Sequence, residues 1–192
     1  MGRAGRACAV AVGLVAGTPP ALAAAFSEKL QPCLTCHGAE GQSETENVPS
    51  LGGQLSAYTL IQLFMFRERL RIAEPMNDLA KELSDDDLRA MADALAALPP
   101  PKPPDDVGEP ARLQQARALS DQFHCKVCHR PDFAGQESAP RVADQREGYL
   151  LKTLRDYKNG ARHGYDATMA EALQPVDDAQ IRELAYFLAH IR

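Results

Sequence analysis

Tryptophan is absent from the 192 residues, and aromatic residues of all kinds make up only 6%. No apolar run approaches the roughly 18–20 residues of a membrane-spanning helix, which excludes a helical span. A basic excess is lacking too: 26 acidic against 21 basic residues leave a net charge of −5, the wrong sign for nonspecific nucleic-acid binding. Thirteen glycines and 24% charged residues are unlike a collagenous or a wholly disordered chain. Nor does any stretch alternate polar and apolar residues as a half-buried strand would. What remains is a globular, helical chain of a length that suits one large or two small domains. Cysteine is scarce as well, five residues, four of them in two Cys-x-x-Cys pairs. An odd count so distributed is a poor disulfide framework and a better start for metal or cofactor attachment.

At the amino terminus Arg3 and Arg6 precede an apolar stretch from Ala7 to Gly17, Thr18-Pro19-Pro20 ends it, and Ala21-Leu22-Ala23 offers a small-residue cleavage site. This order predicts an export signal over residues 1–23, removed from a mature protein that resides in the periplasm. So short an apolar stretch cannot cross a bilayer, and no transmembrane segment is expected after removal. Cys8 leaves with the signal, and the loss of Arg3 and Arg6 takes the net charge from −5 to −7.

Between Pro99 and Pro110 six of twelve residues are proline. Such a segment cannot be helical and is expected to run extended, spacing two units semi-rigidly. The flanks compare in register. Cys33-Leu34-Thr35-Cys36-His37 is matched by Cys125-Lys126-Val127-Cys128-His129, Pro49 by Pro140, Gln54 by Gln145, Tyr58 by Tyr149 and Arg71 by Arg162, all at an offset of 91 or 92. Met76 then pairs with Met169 at an offset of 93. The register predicts two copies of one small fold over 24–98 and 111–192, with residues 99–110 as linker.

Each copy reads as all-α. A helix leads into the cysteine motif, carrying Phe26, Leu30 and Cys33 in the first copy and Leu113, Ala116 and Phe123 in the second. A middle helix follows Gln54 and Gln145. A last helix begins at Ser84 with Asp85 to Asp87 at its positive end and an apolar stripe of Leu88, Met91, Ala92, Leu95 and Leu98. Its counterpart begins at Asp177 and carries Ile181, Leu184, Ala185, Leu188 and Ile191. Units of about 75–80 residues have marginal cores, so a large apolar cofactor would supply missing core.

Cys-x-x-Cys-His is the attachment signature of c-type haem. Residues three apart on a helical turn share a face, so Cys33 with Cys36, and Cys125 with Cys128, can each meet both vinyl groups of one porphyrin as thioethers. His37 and His129 then reach the iron. A zinc site would need its second pair of ligands nearby rather than about ninety residues away, and a thioredoxin-type pair would need a βαβ context. Two covalent haem c groups are therefore expected. Met76 and Met169, each placed in a loop before the last helix, are the expected sixth ligands, which raise the reduction potential. His163 is the competitor in the second copy. Met65 and Met91 read as core, and His124 and His190 as surface or packing residues.

These residues resemble the dihaem class I cytochromes c of the cytochrome c4 type, over essentially the whole mature chain. The resemblance implies two tandem cytochrome c-like domains facing each other across a pseudo-twofold, haem propionates near the interface, and an electron carrier that is not an enzyme. It departs from the pattern at Arg130, where glycine is usual, and at Val142-Ala143-Asp144-Gln145. The implied partners are a redox protein donor and acceptor. A membrane oxidase suits that role, and so does a flavoprotein dehydrogenase, because the cytochrome subunit of flavocytochrome c sulfide dehydrogenase has a similar size and haem count. A dihaem peroxidase would need a labile sixth position, against which the paired methionines argue. Charge is uneven between the copies: 24–98 holds six basic and twelve acidic residues, 111–192 twelve and eleven. An acidic half that meets a basic docking patch is the corresponding expectation.

Overall fold

The computed structural model describes residues 20–165 and 167–191, with side chains from Lys29 onward. The export signal expected over 1–23 lies, up to residue 19, outside these. Among the described residues there are nine helices and no strand, only one isolated bridge between Gln136 and Ala139. Helices α1 (Pro20–His37), α2 (Ser56–Arg67), α3 (Met76–Ala80) and α4 (Asp85–Ala97) form the first half. The second half holds α5 (Pro110–Gln122), α6 (Cys125–His129), α7 (Glu147–Lys158), α8 (Thr168–Leu173) and α9 (Asp178–Ala189). None of these helices is long and apolar enough to cross a membrane.

The last helix of each half starts where its local chemistry dictates. Ser84 Oγ accepts the Asp87 N–H at 3.2 Å while Asp87 Oδ2 accepts the Ser84 N–H at 3.1 Å. Asp177 and Gln180 make the same reciprocal pair at 2.8 and 2.9 Å. Two of the four backbone donors orphaned at each helix start are thereby satisfied. The stripes behind the caps are buried: Leu88, Met91, Ala92 and Leu95 on α4, and Ile181, Leu184, Ala185 and Leu188 on α9. Leu98 and Ile191, expected on the same stripes, lie just past the helix ends and are half-buried. Met65 and Met91 are core residues, as expected.

Packing follows two centres. In the first half α2 lies against α3 and α4 around Leu30, Leu63, Leu88, Met91 and Leu95. In the second α5 and α7 lie against α9. Phe133 fills that second core and meets Phe187 edge-on, ring centroids 5.6 Å apart.

The linker departs from expectation in two ways. Pro110 belongs to α5, as its first residue, where a missing N–H costs nothing, and Glu109 accepts the N–H groups of Ala111 and Arg112. The segment also does not hold two units apart. Gln42 donates to the carbonyls of Pro99 and Pro100 at 3.2 and 2.8 Å and accepts the Lys102 N–H at 3.1 Å. Tyr186 then accepts the Glu109 N–H at 2.7 Å, so the linker lies along both halves; the halves themselves touch directly, Gln145 on Ser50 and Gln54 on Arg141.

Candidate functional site

In the first half one continuous helix, α1, carries Cys33, Cys36 and His37. In the second half the expected single helix is interrupted. His124 adopts a left-handed conformation (φ 55°), α5 ends at Gln122, and the motif restarts as α6. The four cysteines are unbridged, and each pair has one half-buried thiol, Cys33 or Cys125, and one exposed, Cys36 or Cys128. Burial pushes the Cys33 and Cys125 thiols above their ordinary pKa. A redox-exchange dithiol needs the opposite shift, toward thiolate, so the pairs are ill-suited to disulfide chemistry and left available for attachment.

His37 and His129 are 6% and 8% exposed. His37 Nδ1 lies 2.7 Å from the Pro49 carbonyl oxygen and His129 Nδ1 lies 2.8 Å from that of Pro140. A carbonyl only accepts, so Nδ1 carries the proton and Nε2 is left with its lone pair. Burial also lowers both histidine pKa values, which keeps the rings neutral. A neutral imidazole with a fixed tautomer and a free Nε2 can bind a metal.

Met76 and Met169 are both half-buried. Neither is in a loop as expected: Met76 is the first residue of α3, and Met169 lies in α8. Cys33 and Met76 border the same apolar cluster in the first half, and Cys125 and Met169 the corresponding one in the second. The structure thus brings thiol and thioether to one core in each half. The approach to Met76 is pinned by Asn77, 1% exposed, which donates to the carbonyls of Phe66 and Arg71 and accepts the Ala73 N–H at 2.7 Å. His163 is exposed. His124 is exposed too, and His190 packs on Tyr186 at 4.4 Å with Nδ1 on the Tyr186 carbonyl, as expected of packing residues.

Two further groups at the junction of the halves carried no role in the sequence beyond their register. Gln54 and Gln145 each bond the backbone of the opposite half. Arg162, 5% exposed, donates to Tyr58 at 2.9 Å, Gln62 at 3.2 Å, Tyr149 at 3.2 Å and Thr153 at 3.3 Å, while Arg71 donates to the same Gln62 oxygen at 2.6 Å. Burial pushes the Tyr58 phenol up to about 12, against the charge of Arg162. Burial would raise Tyr149 too, but the charges of Arg162 and Arg71 outweigh it and hold that phenol down at about 7. The two phenols share one guanidinium. Arg162 Nε is buried without a hydrogen-bond partner.

A profile of the cytochrome c family matches residues 113–192. Cytochrome c4 from Pseudomonas aeruginosa is 33% identical over 149 residues, 73% of this chain and 73% of its own. The chain belongs to the cytochrome c4 family. The reduced recombinant cytochrome c4 from Pseudomonas stutzeri superimposes with a TM-score of 0.78 at 26% identity, over 88% of this chain and 98% of that one. The thiosulfate dehydrogenase electron acceptor of Thiomonas intermedia is 30% identical over 195 residues, 96% of this chain and 90% of its own. As a member of the cytochrome c4 family the protein has two cytochrome c domains, carries two covalently attached haem c groups, and is an electron carrier rather than an enzyme.

The residues present fit that cofactor. Each half offers two unbridged thiols one helical turn apart, a neutral imidazole with a free Nε2, and a thioether at the same core. The buried Arg162, bonded to phenol, amide and hydroxyl oxygens and left with an orphaned Nε, suits a group that brings carboxylates of its own.

Proposed function

We propose that this cytochrome c4-family protein passes single electrons between two protein partners through two haem centres of the following make-up. Cys33 and Cys36 anchor one haem and Cys125 and Cys128 the other. His37 and His129 are the proximal ligands, and Met76 and Met169 the distal ones. Each haem, when bound, supplies an iron that changes by one electron. The chain's part is to hold four ligands in place through that change, so that little reorganises and no coordination position opens. His37 and His129 are oriented by the carbonyls of Pro49 and Pro140, and Asn77 steadies the segment that leads to Met76. The observation that carries the reading is the matched pair of buried imidazoles, each with Nδ1–H on a proline carbonyl and each directly after two free thiols.

The centres belong to a duplicated unit spanning 24–98 and 110–192, joined by 99–109. Residues 1–23 direct export to the periplasm, where covalent haem attachment and an electron-transfer role meet. The donor in one reading is a dehydrogenase, a role supported by likeness along 96% of this chain to the Thiomonas electron acceptor. A spectroscopic redox titration with haem quantitation tests the proposal. Two haems per chain and two one-electron steps are expected, with no carbon monoxide uptake by the reduced protein. Rapid stoichiometric carbon monoxide binding would refute the methionine assignments.

A further inference from the structure

The glutamines that precede α2 and α7 serve the opposite half. Gln145 Oε1 accepts the Ser50 N–H at 2.8 Å and its Nε2 donates to the Ser50 carbonyl at 2.9 Å. Gln54 Oε1 accepts the Arg141 N–H at 2.8 Å and its Nε2 donates to the Arg141 carbonyl at 3.0 Å. Both side chains are buried, 6% exposed, so water does not compete for these bonds. Each glutamine also accepts the N–H of the next residue in its own chain, Leu55 or Arg146, which fixes the amide in its orientation.

The peptide groups they hold are particular ones. The Ser50 N–H and the Pro49 carbonyl belong to a single peptide unit, and that carbonyl accepts His37 Nδ1–H at 2.7 Å. The Arg141 N–H and the Pro140 carbonyl form another, and that carbonyl accepts His129 Nδ1–H at 2.8 Å. A peptide unit is conjugated, so its two ends do not act independently. An acceptor on the N–H draws the amide toward its charge-separated form and leaves more negative charge on the carbonyl oxygen, and hydrogen bonds linked in this way strengthen one another. A more negative oxygen on Nδ1–H makes the imidazole a stronger donor at Nε2, which favours the oxidised iron.

We propose that Gln145 and Gln54 are positioning residues that act across the junction: Gln145 on His37 through the Pro49–Ser50 peptide, and Gln54 on His129 through the Pro140–Arg141 peptide. Each half then sets the donor strength of the other half's proximal ligand, and the contact between the halves is linked to both redox equilibria. This inference rests on His37 and His129 being the proximal ligands. A glutamine that only fastened the halves together would have no reason to discriminate between the two irons, whereas the relay predicts a crossed effect.

The test is made on the haem-loaded protein with Gln145→Met and Gln54→Met, which keep side-chain length and remove the amide. Both reduction potentials are measured, together with the Nδ1–H resonances of His37 and His129 in the oxidised protein, which assign each potential to its half. Gln145→Met is expected to shift the His37 centre toward reduction about threefold, or ~28 mV at 59 mV per tenfold for one electron, and to leave the His129 centre in place. Gln54→Met is expected to do the converse, and it carries the test alone if Gln145→Met does not fold. A shift in the substituted half only, an equal shift in both, or none in the opposite half would overturn the relay. If the wild-type His37 and His129 resonances lack a paramagnetic shift, the ligand assignment itself fails, and the relay with it.

Discussion

Replacing Arg130 by glycine should stabilise the protein, although it deletes a charged side chain directly after His129. In the first half the residue after the histidine is Gly38, at φ 86°; in the second it is Arg130, at φ 69° and ψ 163°. The turns are otherwise alike: the Gly41 N–H donates to the Gly38 carbonyl at 2.9 Å and the Phe133 N–H to the Arg130 carbonyl at 3.1 Å. That backbone region belongs almost wholly to glycine and costs a residue with a Cβ about 1–3 kcal/mol. Two effects oppose the gain. Glycine gives the unfolded chain more freedom, which costs about 0.5–1 kcal/mol. Arg130 also pairs with Asp132 at 3.7 Å, but both side chains are more than half exposed, so screening holds that loss to a few tenths of a kcal/mol, about 0.3. Taking the middle of each range, the net expectation is about 1 kcal/mol of stabilisation. Urea unfolding of the haem-loaded protein, followed by far-ultraviolet circular dichroism, measures it, since covalent haem stays with the chain through the transition. A midpoint equal to or below wild type would refute the reasoning. Gly38→Ala is the converse: its Cβ would fall 2.0 Å from the Gln42 carbonyl oxygen, and a clear loss of stability is expected.

Ile181→Ala empties a fully buried position under α9 and should cost about 2–5 kcal/mol in the same urea experiment; an unchanged midpoint would contradict the packing. Ser84→Ala removes the cap of α4 and should cost about 1 kcal/mol. Asp87 is held down at about 2, first by the hydrogen bond from Lys29 and then by Ser84, against 3.8 for the free group. Its folded-state pKa is depressed, so its stabilisation is complete above about 4 and is lost as the pH falls toward 2. Asp87→Asn should flatten that part of the stability profile, read by thermal melts across the same range, and an unaltered acid limb would exclude the pair. Met169→Ala should let the reduced protein bind about one carbon monoxide per chain at the second centre, and no binding would refute that ligand.

The parts legible in the sequence were those whose physics is local. Ser84 and Asp177 announce helix starts because a cap needs only its own backbone three residues on, and the spacing of Cys33, Cys36 and His37 is set by one helical turn. Short elements were not legible. Met76 and Met169 begin or sit in helices of five and six residues, too short to show a period, so the sequence alone reads as loop there. The break at His124 depends on a left-handed residue that no helical pattern announces. The linker lies along the protein because the Gln42 amide, some sixty residues away in sequence, satisfies its carbonyls.

Taken by itself, the chain's sequence determined the two Cys-x-x-Cys-His motifs and the order of the longer helices, since covalent spacing and helical periodicity are properties of neighbouring residues. Only the tertiary structure decided what Gln54, Gln145 and Arg162 do. Their partners in the opposite half lie 87 to 104 residues away and are in part backbone atoms, which no side-chain pattern can specify. The same register that made the halves look alike left open how they meet, and the meeting places a glutamine of one half one peptide unit away from the buried histidine, His37 or His129, of the other.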